Sequence, residues 1–293
     1  MSEFPLQNAL LSSWIKTVGH YADSPAIFAP SGARLRTFRE IEDESRAFQG
    51  KLSSLPAGSV VAVQIGNSVR WPALLLALFR AQLIPLPLGR HMESAELHGA
   101  LDTCHAAALL TETADGIGIK CLENGSLIAW KDPKPDFLKL TSGTTSAPRA
   151  IRFRAHQLLA DCEQICNTMG ITASDLNFGV IPFSHSYGFS NLITPLIARG
   201  VPLVASEDRM PRAILNDLAT SGATVFPGMP VFFQKFADLE SLPLLPRLRL
   251  CISAGAPLLK QVAARFSAKF GLKIHTFYGA SECGGIGYDA SSG

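Results

Sequence analysis

The chain has 293 residues, 47% of them hydrophobic and 17% charged, which describes a globular protein able to bury a large core and excludes global disorder. Its net charge of +2 has no basic run behind it, so the electrostatic footprint of a nucleic-acid binder is missing. The longest apolar run, Trp71 to Phe79, is broken by Arg80 and falls short of the ~20 residues that span a bilayer, which predicts a buried helix and no membrane span.

The N-terminus MSEFPLQNALL shows no basic segment leading into a long apolar core, so the expectation is a cytoplasmic protein without a secretory signal. Two helices are expected first, LQNALLSSWIKTVGHYA and FREIEDESRAFQGKLSSL, separated by the turn-rich SPAIFAPSGARLRT. From residue 59 onward, short aliphatic runs alternate with helical-period segments. SVVAVQI precedes WPALLLALFRAQ, NFGVI precedes YGFSNLITPLIA, ATVFP precedes VFFQKFADL, RLRLCIS precedes PLLKQVAARFSAKF, and KIHTFY closes the series. That alternation predicts an α/β protein with mostly parallel sheets flanked by helices. The prolines of DPKPD, 132 to 136, interrupt regular structure and suggest a division into an α/β subdomain over 1–136 and a second over 137–293.

The six cysteines are scattered without a CxxC pair, as expected of reduced packing thiols. His91, His98 and His105 recur every seven residues, but seven helical residues rise about 10.5 Å, too far to share one metal ion.

Ligands of α/β sheets collect beyond the carboxyl ends of strands, so the loops after the strands are where chemistry is expected. The stretch LTSGTTSAPRAIRF, Leu140 to Phe153, offers glycine and hydroxyls that suit a phosphate cradle, followed by the permanent cation Arg149. It is not a P-loop, since no GxxxxGK[ST] leads into a helix. SAGAPL, Ser253 to Leu258, follows a strand-like run and opens a helix with Pro257 near its first position. Its small residues would let a flat ring lie against the backbone, although packing alone would also explain them. FYGASECGG, Phe277 to Gly285, supplies an aromatic face at Tyr278, a hydroxyl at Ser281 and a hard oxygen ligand at Glu282. GASEC approaches the GxSxG nucleophile elbow of hydrolases. Cys283 replaces its last glycine, however, and no histidine follows Ser281 in the chain.

Taken together and in order, TSGTTSAPRA, PFSHSYGF, SAGAPL and FYGASE resemble the adenylate-forming superfamily of acyl- and aryl-CoA synthetases, nonribosomal peptide adenylation domains and luciferases. The resemblance covers nearly the whole chain, since GSVVAVQIGNSVRWPALLLALFRAQLIPLPL is similar to the stretch that precedes the family's phosphate loop.

The resemblance implies an AMP-forming acid–thiol ligase. A carboxylic acid would be activated with ATP to an acyl-adenylate, with release of pyrophosphate, and then passed to CoA or to the pantetheine thiol of an acyl carrier protein. Such chemistry needs no general base, because the acid is already ionised at neutral pH. It needs charge stabilisation and alignment instead. Position by position, Thr141, Ser142, Gly143, Thr144 and Thr145 would wrap the β- and γ-phosphates with Arg149 beside them. Tyr278 and Gly279 with the Ala254, Gly255 and Ala256 backbone would sandwich adenine. Ser281 would touch the α-phosphate, and Glu282 with Thr145 would hold Mg2+.

His185 matches the residue that gates the acid pocket. Phe183, Ser184, Phe226, Gly228 and Met229 would line that pocket, with Phe189 and Phe232 as further apolar candidates suited to a fatty or aryl acid. Each phenylalanine is also a plain core residue. Ser184 stands where amino-acid-activating relatives place an aspartate, which disfavours an amino acid. Ser146, Arg149 and Ala150 replace the usual glycine, lysine and glycine, departures that bear on rate more than on fold. The family continues past the metal glutamate through a ribose-binding aspartate to a lid bearing a catalytic lysine, whereas this sequence ends at Gly293. The expectation is therefore most of the large N-terminal domain, poorly active by itself, the alternative being a non-catalytic nucleotide- or acyl-binding paralogue.

Overall fold

The computed structural model describes residues 8–123, 125, 127–131, 133–141, 149–241 and 243–290. Helix α1 (Ala9–Tyr21) starts at Asn8, whose side-chain oxygen accepts from the Leu11 amide, and it buries Leu10, Leu11 and Trp14. A short hairpin follows, β1 (Pro25–Phe28) and β2 (Arg34–Thr37), where turn-rich sequence alone predicts no strand. Pairing made the difference, since β1 lies parallel to the distant strand Leu203–Ala205. Helix α2 (Phe38–Lys51) opens on a capping box between Thr37 and Glu40.

The expected strand–helix alternation then runs through β3 (Val60–Gln64), α3 (Trp71–Arg80), β4 (Ile84–Pro87), α4 (Ser94–Thr103), β5 (Ala106–Thr113) and β6 (Gly116–Cys121). Every residue from Trp71 to Phe79 is buried, as the apolar run predicts. The hairpin β7 (Phe137–Thr141) and β8 (Arg149–Phe153) precedes α5 (Ala155–Met169) and β9 (Asn177–Gly179). YGFSNLITPLIA, expected as one helix, is divided into α6 (Ser186–Gly188), a π-helical turn (Phe189–Ile193) and α7 (Thr194–Arg199) with Pro195 in its first turn. The remainder is β10 (Leu203–Ala205), α8 (Pro211–Ser221), β11 (Val225–Gly228), α9 (Pro230–Asp238), β12 (Leu250–Ser253), α10 (Lys260–Phe270), β13 (Ile274–Ala280) and β14 (Gly284–Tyr288). Helix α10 starts at Lys260, so Pro257 lies in the loop before it rather than in its first turn.

The strands form an eight-stranded sheet in the order β14-β13-β12-β11-β9-β10-β1-β2, a four-stranded sheet β4-β3-β5-β6, and the β7-β8 pair. In the large sheet only the edge pairs β1–β2 and β13–β14 are antiparallel. Strands β11 and β12 are buried at every residue, as expected of a parallel sheet covered on both faces. Sheet pairing runs across residue 136, because β1 and β2 join strands of the second half. No helix among the described residues is long and apolar enough to cross a membrane.

Candidate active site

Strands β11, β12 and β13 lie side by side, with Gly228 opposite Ser253 and Ser253 opposite Thr276. Their carboxyl ends therefore deliver Met229, the Ala254–Leu258 loop and the turn Ser281–Cys283 to one edge of the sheet, the place where parallel sheets bind ligands. Strand β9, next to β11, leads through residues 180–185 into α6 and brings His185 to the same edge.

Two cavities open there and share a wall made of Gly255, Phe277 and Gly279. The larger carries Tyr278 with Ala256, Pro257 and Leu258. The smaller is lined by His185, Ser186, Tyr187, Ser190, Asn191 and Ser281, among others. Tyr278 is 68% exposed and presents a bare aromatic face. Glu282 is exposed at the tip of the β13–β14 hairpin.

Long-range hydrogen bonds hold these loops in register. Ser186 Oγ donates to Ser281 Oγ at 3.1 Å, and the Tyr187 hydroxyl donates to the Ile252 carbonyl at 3.2 Å. The Gly285 amide donates to Asp161 Oδ1 on α5 at 2.8 Å. Asn67, 5% exposed, donates from Nδ2 to the carbonyls of Gly179, Ile181 and Ser206 and accepts from the Phe183 amide. The loop leading to His185 is thus fastened by a residue of the four-stranded sheet's own loop. Burying so many backbone groups is tolerable only because each finds a partner.

At the rim of the smaller cavity, partial burial and then the nearby Lys139 charge lower the pKa of His185. Its Nδ1 accepts from the Tyr187 amide at 3.3 Å, so the neutral ring carries its proton on Nε2. Lys139 itself, on β7, is only 5% exposed, and burial pushes it down to about 8 against the opposing pull of Asp161 and Cys283.

The structure brings together Ala254, Gly255, Ala256, Tyr278, Gly279, Ser281 and His185 in these two cavities. Thr141 and Arg149 face each other as the last and first residues of the β7–β8 ladder, where Thr141 Oγ1 donates to the Arg149 carbonyl at 3.4 Å. The rest of the expected phosphate loop, including Ser142, Gly143, Thr144, Thr145 and Ser146, lies outside the described residues. Phe183 and Phe226 are 1% exposed and line neither cavity. Phe226 packs its ring against Phe178, Phe232, Phe233 and Phe236, so this aromatic cluster is core. Gly228 is buried at the end of β11, Ser184 is half-buried, and Met229 is 37% exposed beside Gly255. Asn67, Lys139 and Asp161 were not picked out by sequence reasoning. A lysine in the apolar run FLKL was the one visible signal among them.

The family description "AMP-binding enzyme" matches residues 15–292. The chain belongs to the AMP-binding enzyme family. Relatives within it include a probable CoA ligase of Humulus lupulus, 23% identical over 91% of this chain and 58% of that protein. A long-chain-fatty-acid–CoA ligase of Escherichia coli is 23% identical over 94% of this chain and 60% of its own. A benzoate–CoA ligase of Thauera aromatica is 30% identical over 51% of this chain and 30% of its own. The chain thus spans about three-fifths of the first two ligases, and 11% of a naringenin synthase of Pestalotiopsis fici to which it is also similar.

Solved structures share the fold of this AMP-binding enzyme. The N-terminal domain of FACL13 from Mycobacterium tuberculosis superposes with a TM-score of 0.83 at 16% identity, over 96% of this chain and 78% of that one. ATP-bound MatB from Rhodopseudomonas palustris gives 0.81 at 21% identity, over 98% of this chain and 62% of that one.

Proposed function

We propose that this chain is the nucleotide- and acid-binding portion of an AMP-forming acid–thiol ligase. The observation that carries the reading is the pair of adjoining cavities at the carboxyl ends of β11, β12 and β13, which share a wall of Gly255, Phe277 and Gly279. Such a pair suits a two-part product, an acyl group joined to AMP.

In this reading the larger cavity takes adenine, with Tyr278 on one face and the Ala254–Ala256 backbone on the other. Ser281, on the wall of the smaller cavity, meets the α-phosphate. Residues 141–145 and Arg149 hold the outer phosphates. Glu282 is an exposed carboxylate, which fits Mg2+, an ion bound through one or two carboxylates plus substrate phosphates. When bound, Mg2+ would neutralise charge on the leaving pyrophosphate. The acid occupies the smaller cavity, where Tyr187 and Phe277 supply aromatic surface and Ser186, Ser190 and Asn191 polar groups. That lining supports a small aryl or short acyl group over a long aliphatic chain. Burial and then the Lys139 charge disfavour the cationic form of His185, and with Nδ1 accepting from the Tyr187 amide its Nε2–H is the group available to the acid. The thiol acceptor is CoA or the pantetheine of a carrier protein.

The test is acid-dependent pyrophosphate release with Mg·ATP over a panel of aryl, fatty and amino acids, on residues 1–293 and on any longer product of the same gene. Release with aryl or short acyl acids supports the reading and names the acid. Nucleotide binding without release from either protein would leave a binding paralogue in place of a ligase.

A further inference from the structure

Lys139 has no use in the site as described above. It lies on β7, whose alternation puts Phe137, Lys139 and Thr141 on one face, and β7 ends at Thr141, where the expected phosphate loop begins. Its side chain points inward. The Nζ sits 4.7 Å from the centroid of the Phe153 ring and 5.7 Å from that of Phe189, on the π-helical turn. No hydrogen-bond partner for Nζ exists among the described residues. No carboxylate among them forms an ion pair with it either; the acid whose charge acts on it is Asp161, whose Oδ1 accepts from the Gly285 amide.

A buried ammonium without a partner is costly, and two aromatic faces recover only part of the lost hydration. Such a group is explained if an anion completes it. Its surroundings say which. His185, Asp161 and Cys283 are the titratable groups whose charges interact with it. Three elements therefore converge on Lys139. They are the residue before α6, helix α5 and the β13–β14 turn. His185 and Gly284, beside Cys283, also line the smaller cavity, and Ser190, next to Phe189, completes that wall. Lys139 is not itself a lining residue, and its buried ammonium would reach the cavity by rotation of its four-carbon stem.

We infer that Lys139 is an oxyanion-binding residue of the smaller cavity, its ammonium taking either the carboxylate of the bound acid or the α-phosphate of the nucleotide. This rests on the acid- and nucleotide-binding reading above. A cation built into the strand that carries the phosphate loop would be present before any lid closes, and it would hold the two anions that must meet.

The experiment measures AMP binding and, separately, benzoate and octanoate binding by calorimetry. It compares the wild type with Lys139→Met, which keeps the length and apolar stem, and with Lys139→Arg, which keeps the charge. Thermal melting verifies that each variant is folded. The expected result is a loss of about ten- to a hundred-fold in affinity for one ligand class in Lys139→Met, with partial retention in Lys139→Arg. Loss for AMP assigns the phosphate, and loss for the acids assigns the carboxylate. Wild-type affinity for that ligand should also fall between about pH 7 and pH 9.5 as the ammonium loses its proton, and Lys139→Met should be flat over the same range. Unchanged binding of AMP and the acids by folded Lys139→Met overturns the assignment and leaves the proposed function intact. Failure of the wild type to bind AMP overturns the proposed function and the assignment with it.

Discussion

Ser186 and Ser281, 95 residues apart in sequence, are joined by a hydrogen bond of 3.1 Å between their hydroxyls. It ties the start of α6, and hence His185, to the turn after β13, and hence Glu282. The two serines should therefore act as a unit. A double-mutant cycle of Ser186→Ala and Ser281→Ala, read as AMP affinity, should show a coupling of about 0.5–1.5 kcal/mol. Strict additivity would mean that the contact does not orient Ser281.

Asn67 satisfies three backbone carbonyls and one amide from a buried position. Asn67→Ala leaves them without partners and should destabilise the chain by about 3 kcal/mol, measured by urea denaturation. The loop 179–183 would lose its anchor, so activity should fall even at temperatures where the variant is folded.

Gly284 has φ +79, and a Cβ there would lie 2.4 Å from Asp161 Oδ1, the atom that receives the Gly285 amide. Gly284→Ala should cost about 2 kcal/mol in chemical denaturation. Gly287, on the same strand with nothing within 4 Å of a built Cβ, supplies the control, and Gly287→Ala should be close to neutral.

Tyr278 is 68% exposed, so Tyr278→Ala should change the melting temperature little. If its face receives adenine, AMP affinity should fall by about three- to ten-fold. Equal affinity in calorimetry would remove Tyr278 from the nucleotide site.

The pKa of Lys139 is lowered from 10.5 to about 8 by burial. Between those values the unfolded chain holds a proton that the folded chain has shed, so this residue's contribution to stability rises with pH across that window. Below it, the folded protein carries a buried charge at a cost of about 3 kcal/mol. Lys139→Met should be more stable than the wild type near neutral pH, and its denaturation free energy should lose the upward slope between about pH 8 and 10.5. A variant that is less stable at neutral pH would contradict this account of the site.

The alternation of apolar runs from SVVAVQI to KIHTFY determined the α/β class, because a strand buried on both faces must be aliphatic throughout and its covering helix must show a helical period. The ordered loops TSGTTSAPRA, PFSHSYGF, SAGAPL and FYGASE likewise declared the family, since glycines and hydroxyls at strand ends are local chemistry written in consecutive residues. Tertiary structure decided what depends on partners far along the chain. Residues 25–28 and 34–37 became strands only by pairing, β1 with β10 and β2 with β1, and Phe226, a plausible pocket residue by its type, was drawn into a cluster with Phe232, Phe233 and Phe236. Asn67 owes its role to carbonyls more than a hundred residues away. Lys139 looks like an ordinary strand lysine until the fold closes Phe153 and Phe189 over it, because burial, and with it the energy of an unpaired charge, is a property of the assembled core and not of any local segment.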